Sequence, residues 1–233
     1  MFVVNIIIKR QKMLEILQYD FIQNALIAGV LISIAAGIIG SLVVVNKITF
    51  LTGGIAHSSY GGIGLAIYMG IPVLFGATVF AVITAILIAI ITLKNRTRID
   101  AIIGMMWASG MAIGIIFVDL TPGYNVDLMS YLFGSIIAVS REDLIYMSVL
   151  DVFIISIVVF FYKQILAVSY DSEFASLRGI NVKFFYTLIL ILAALCVVAA
   201  IKAVGLILVI ALLTIPTYLA ENFSSKLSTM MII

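Results

Sequence analysis

Charge is scarce in this chain: 10% of its 233 residues are Asp, Glu, Lys or Arg, against 64% hydrophobic residues. With a mean hydropathy of +1.31, that composition excludes an ordinary soluble domain. Cysteine is nearly absent as well. The single Cys196 lies in an apolar run, which excludes an intramolecular disulfide or a cysteine zinc cluster and leaves a small packing residue. The thirteen cations are scattered through loops rather than gathered into a patch, so the net charge of +2 does not point to nucleic acid. No pair or triad of acid, base and nucleophile recurs at helical spacing, which speaks against a membrane-embedded enzyme.

What the chain does have is long apolar runs. A helix of about 20 apolar residues crosses a hydrocarbon core roughly 30 Å thick. Such runs cover Phe21 to Val45, Ile48 to Met69, Pro72 to Leu93, Ile99 to Val118, Asp143 to Tyr162, Val182 to Ile201 and Val204 to Ala220. The fold class is therefore all-α: a polytopic transmembrane bundle of about seven spans filling residues 21–220. Leu128 to Val139 is too short to cross and reads as a half-helix dipping in from one side. Thr121-Pro-Gly-Tyr124 before it has the composition of a type II turn, and Ser140-Arg-Glu-Asp143 after it is a capping-box pattern. Residues 1–20 form an N-terminal segment in which an apolar stretch precedes Lys9, Arg10 and Lys12, the reverse of a signal peptide's order. Met13 is a second candidate start, with the residues before it an upstream extension. Residues 221–233 read as the beginning of a further, truncated C-terminal span.

Orientation follows from the cations. With the short piece not crossing, Lys47, Lys94, Arg96, Arg98, Lys163, Arg178, Lys183 and Lys226 share one side. Basic loops stay in the cytoplasm, which puts the N-terminus outside and the chain in the plasma or inner membrane, surrounded by lipid.

Small residues recur every fourth position at Gly54, Ser58, Gly62 and Ala66, and again at Gly104, Ala108 and Ala112. This spacing lets membrane helices approach closely. His57, the only imidazole, lies on a stripe beside the first row and is expected to face protein. It is either a ligand on a pathway or a histidine hydrogen-bonded between helices. Asp151 falls mid-span, where an ionised group costs roughly 2.5 to 3.5 kcal/mol; it is protonated, paired, or placed behind a pathway. Asp100 reads as a helix-start cap, and Asp119 and Asp127 as solvated loop charges. Tyr170 to Gly179 carries helix start and stop signals around Phe174, Ala175 and Leu177. It is either a loop resting on headgroups or a knob that docks into a partner.

Four stretches, taken in order, resemble motifs of one family: Phe50 through His57 to Gly64, Leu132 to Ser140, Asp171 to Gly179, and Val204 to Pro216. The family is the permease subunits of ATP-driven zinc, manganese and iron importers, and the resemblance covers roughly Phe21 to Ala220. It implies a second permease copy, two cytoplasmic ATP-binding subunits and an external metal-binding protein as partners. No permanent cofactor is implied, only the transported divalent metal. Asp171, Glu173, Phe174, Ala175, Arg178 and Gly179 would belong to the cytoplasmic coupling helix that seats in the ATPase. No phosphate-binding Gly-x-x-x-x-Gly-Lys-Ser/Thr loop is present, in keeping with hydrolysis on a separate chain. His57 stands where the family carries a metal-contacting histidine, with Ser58 a secondary candidate. The family's usual aspartate four residues earlier is Gly53 here. Losing that carboxylate tilts the expected cargo from manganese toward zinc. The competing readings are a permease for chelated iron or cobalamin, and an ATP-independent secondary transporter or channel.

Overall fold

The computed structural model describes residues 18–94, 99–122, 129–224 and 226–233. The N-terminal extension before residue 18, Arg96, Arg98, Tyr124, Asp127 and Leu128 therefore lie outside the described residues. Ten α-helices are found among the described residues, with no strand: α1 Asp20–Val45, α2 Thr49–Met69, α3 Val73–Lys94, α4 Ile99–Asp119, α5 Met129–Phe133, α6 Arg141–Phe160, α7 Tyr162–Tyr170, α8 Ser172–Leu177, α9 Val182–Phe223 and α10 Leu227–Met230. Five of these, α1, α3, α4, α6 and α9, are long and apolar enough to cross a membrane. α2 is long enough but diluted by glycine and hydroxyl residues.

Where an apolar face meets no protein, it stays exposed. Val79, Ile83, Ile86 and Ile90 repeat at helical spacing along the outer face of α3. α2 is the opposite case, buried on every side from Leu51 to Gly64. Its glycines allow that. A Cβ on Gly61 would sit 2.9 Å from the Gly110 carbonyl oxygen, and one on Gly110 only 2.5 Å from the Ser58 Cα. The expected Gly54–Ser58–Gly62–Ala66 row divides between two neighbours. Gly54 and Ser58 meet α4, where the Ser58 hydroxyl donates to the Met106 carbonyl at 2.9 Å, whereas Gly62 and Ala66 back onto Gly76 of α3. Four-residue steps on a 3.6-residue helix drift about 40° each, so one row sweeps past two partners. The second expected row fails as packing within this chain. Gly104, Ala108 and Ala112 are exposed, and α4 meets α2 through Ile103, Gly110 and Gly114 instead.

Two further expectations change. The half-helix of 128–139 is not one helix: α5 spans Met129–Phe133, Gly134 adopts φ 71°, and a single 3₁₀ turn covers Ile136–Ala138. The two expected spans 182–201 and 204–220 run on as α9, broken by non-helical angles at Gly205 (φ 81°, ψ 161°). Straight, 42 helical residues would reach about 63 Å. Instead Val182 and Tyr186 from its start line the same cleft as Glu221 and Ser224 near its end, so the chain turns back at Gly205.

Those two irregular points touch. Gly134 and Gly205 pack backbone against backbone, and the Ser135 amide donates to the Lys202 carbonyl at 2.9 Å. The Lys202 ammonium pairs with Asp143, whose carboxylate also closes the predicted capping box with Ser140. This crossing ties the turn of α9 to the start of α6. Nearby at the same end, Arg141 pairs with Asp20 at 2.9 Å. The opposite end gathers Asn46, Lys47, Leu93, Ser169, Val182 and Lys226 around one cleft of about 660 Å³.

Candidate functional site

His57 lies deep in the bundle. Eight residues into α2, it stands about 12 Å above the Lys47 end, in the fully buried stretch. Its ring is 8% exposed and stacks on Trp107 of α4, centroids 3.7 Å apart and planes 8° from parallel. Nδ1 is buried with no hydrogen-bond partner. The reading of His57 as a hydrogen-bonded strut between helices therefore finds no partner at that nitrogen. A buried polar atom without a partner is uncommon in native proteins and calls for an explanation in function. Stacking fixes the ring plane while leaving Nδ1 uncommitted, which suits intermittent contact with a cation.

The surroundings of that nitrogen are sparse. One turn earlier is Gly53, where a Cβ would stand 3.1 Å from Cδ1 of Ile210 on the returning arm of α9. The neighbouring Ser58 hydroxyl is already used on Met106. Among the described residues no three His, Cys, Asp or Glu side chains converge as a metal cage. Among the described residues the imidazole thus belongs to no ligand cluster within one chain.

Trp107 escaped the sequence reading. Tryptophan favours the membrane–water interfaces, and the chain's only tryptophan sits in mid-span. That displaced position was the available signal.

Asp151 is elsewhere. It is 4% exposed, its Oδ2 has no hydrogen-bond partner, and it lies within electrostatic reach of Cys196 across the α6–α9 contact. No hydrogen bond or ring contact joins it to His57.

The Asp171–Gly179 island forms a separate surface feature. Asp171 caps α8 by accepting from the Phe174 amide at 2.9 Å, and Gly179 ends it at φ 77°. Ala175 is fully buried against the bundle, whereas Leu177 is 88% exposed and Phe174 nearly half exposed. Arg178 lies over the Phe174 ring at 5.1 Å, and Glu173 is exposed in the first turn. α7 before it, a short helix that sequence reasoning did not separate, sets α8 off from α6. The result is a clamped helix holding an apolar tip outward.

Comparison with known proteins places this architecture. The model of the ABC 3 transport family matches residues 18–233. An uncharacterized membrane protein of Synechocystis is 45% identical over 221 residues, covering 95% of this chain and 79% of the relative. The manganese transport system membrane protein MntC of Listeria monocytogenes is 33% identical over 218 residues, 94% of this chain and 78% of the relative. Among solved structures, PsaBC from Streptococcus pneumoniae in complex with Fab superposes with a TM-score of 0.84 at 30% identity, covering 95% of this chain and 80% of that one.

Proposed function

Because this chain belongs to the ABC 3 transport family, we propose that it is the permease through which a divalent transition metal, zinc in preference to manganese, enters the cytoplasm by alternating access. It is a multi-pass membrane transport subunit and not an enzyme, and ATP hydrolysis falls to a separate chain. The observation that carries the reading is the buried, unpartnered Nδ1 of His57 on the helix that the bundle encloses. An imidazole without a neighbouring carboxylate suits zinc better than manganese. The name of the Listeria relative favours manganese, and Gly53 is the specific residue that weighs against it here.

The rest of the cycle follows from the same features. Two copies of the chain share the ion between their His57 rings, since the described residues of one copy form no ligand cluster around it. α4 is the least covered of the five long apolar helices, which supports a second copy against its Gly104, Ala108 and Ala112 face, close to Trp107. Seven crossings comprise α1, α2, α3, α4, α6 and the two arms of α9. The end carrying Lys47, Lys94, Lys183, Lys226 and α8 is cytoplasmic on the positive-inside rule, and the N-terminus is external. α8 is the coupling helix, its Leu177 and Phe174 seated in the ATP-binding subunit, and an external protein delivers the metal.

Competitive uptake by the complete transporter tests the cargo. Zinc is expected to suppress manganese uptake at lower concentration than the reverse, and a preference for manganese overturns the zinc assignment. Docking is tested separately. Leu177→Asp is expected to weaken retention of the ATP-binding subunit by at least about tenfold, as for an apolar anchor made charged in a pocket. Unchanged co-purification would remove α8 from that role.

A further inference from the structure

We infer that Asn46 is a positioning residue that passes movement of the α7–α8 arm to the helix bearing His57, through its hydrogen bond to Ser169. The inference rests on the reading of α8 as the ATPase-docking helix. Asn46 caps α1, and its amide nitrogen donates twice: to the Leu42 carbonyl at 2.8 Å and to the Ser169 hydroxyl at 2.9 Å. One side chain therefore grips the end of its own helix and the last turn of α7 together.

Neither side of that bond has slack. Ser169 is two residues before Asp171, the cap of α8, so only Tyr170 separates the gripped hydroxyl from the docking helix's own cap. On the other side, Lys47 takes the left-handed conformation (φ 56°), the one non-glycine residue with positive φ among those described. Its amide bonds to Val44 and that of Ile48 to Val43, which is the Schellman closure usually built on glycine. Ile48 is 3% exposed, and α2 begins at the next residue. Three residues, one of them strained, are all that join α1 to α2.

Apolar contacts hold the arm as well. Phe161 meets Phe185 edge-on at 5.6 Å, and Ala175 is buried; both fasten the arm to the bundle by apolar surface that tolerates sliding. A hydrogen bond keeps its strength only over a few tenths of an ångström. When α8 shifts, the Asn46–Ser169 bond must therefore break or carry the root of α2 with it. The cleft beside it, walled by Lys47, Ser169, Tyr170 and Ser172, leaves room for such a shift.

The experiment measures metal imported per ATP hydrolysed by the complete transporter in proteoliposomes, for the wild type, Asn46→Ala, Ser169→Ala and the double variant. Each single change is expected to lower the ratio about fivefold, what one net hydrogen bond supports, while ATP hydrolysis continues. The double variant is expected to be no worse than either single one. Ser169→Ala leaves Asn46 its bond to Leu42, so it separates loss of the link from loss of the helix cap. A wild-type ratio in Ser169→Ala, or losses that add in the double variant, overturns the inference. A wild-type complex that hydrolyses ATP and imports no metal overturns the transport reading, and this inference with it.

Discussion

Gly205→Val is expected to leave no folded protein in detergent extracts of the membrane. Gly205 sits at φ 81°, ψ 161°, a region open in practice only to glycine, and forcing a branched residue there costs roughly 1–3 kcal/mol. Space is the second obstacle. A Cβ would stand 2.5 Å from the Gly134 nitrogen and 2.5 Å from the Leu132 oxygen, backbone atoms that cannot swing aside as a side-chain tip does. Making room would part the crossing and break the Ser135–Lys202 hydrogen bond, leaving a polar group unsatisfied for roughly 1–3 kcal/mol more. The combined loss, roughly 2–6 kcal/mol, reaches the low end of a typical domain's whole stability. Size-exclusion profiles and thermal unfolding of the purified variant provide the check, and a monodisperse Gly205→Val protein melting with the wild type would refute the crossing. Gly134→Ala, at φ 71° with its Cβ pressed on the Gly205 nitrogen and 2.9 Å from the Ala203 oxygen, should act in the same direction.

His57→Ala in the complete transporter is expected to lower metal uptake at limiting metal by more than about tenfold, since even the outer partners of metal ligands contribute 10–100-fold. Folding should survive, because the ring makes no hydrogen bond at Nδ1, so the change costs the stack on Trp107 but leaves no polar partner stranded there. Gly53→Asp is the companion. Its Cβ would press on the flexible end of Ile210 rather than on backbone, so the helix should accept it. A carboxylate one turn from the imidazole is expected to raise manganese uptake relative to zinc. Undiminished uptake by His57→Ala would take that ring out of the pathway, and an unchanged metal ratio in Gly53→Asp would detach selectivity from this position.

Much of the fold was legible because membrane helices announce themselves locally. Long apolar runs, the Ser140–Asp143 capping box and the Asp171 and Gly179 signals around α8 are each readable within a few residues of themselves. Small-residue rows were legible only as a tendency. The row in α2 packs, the row in α4 faces outward, and both look alike in one dimension.

The candidate site divides in the same manner. Sequence alone determined that the chain lives in a bilayer, that its one imidazole lies inside a glycine-rich helix, and that a short capped helix interrupts the cations of one side. Hydropathy and capping act over one or two turns, so they need no knowledge of neighbours. Tertiary structure decided that Trp107 stacks on His57 from 50 positions away, that Gly134 receives Gly205 across 71, and that Asn46 reaches Ser169 across 123. Those meetings depend on how helices cross, and crossing is set by which surfaces fit together once every span competes for the same interior.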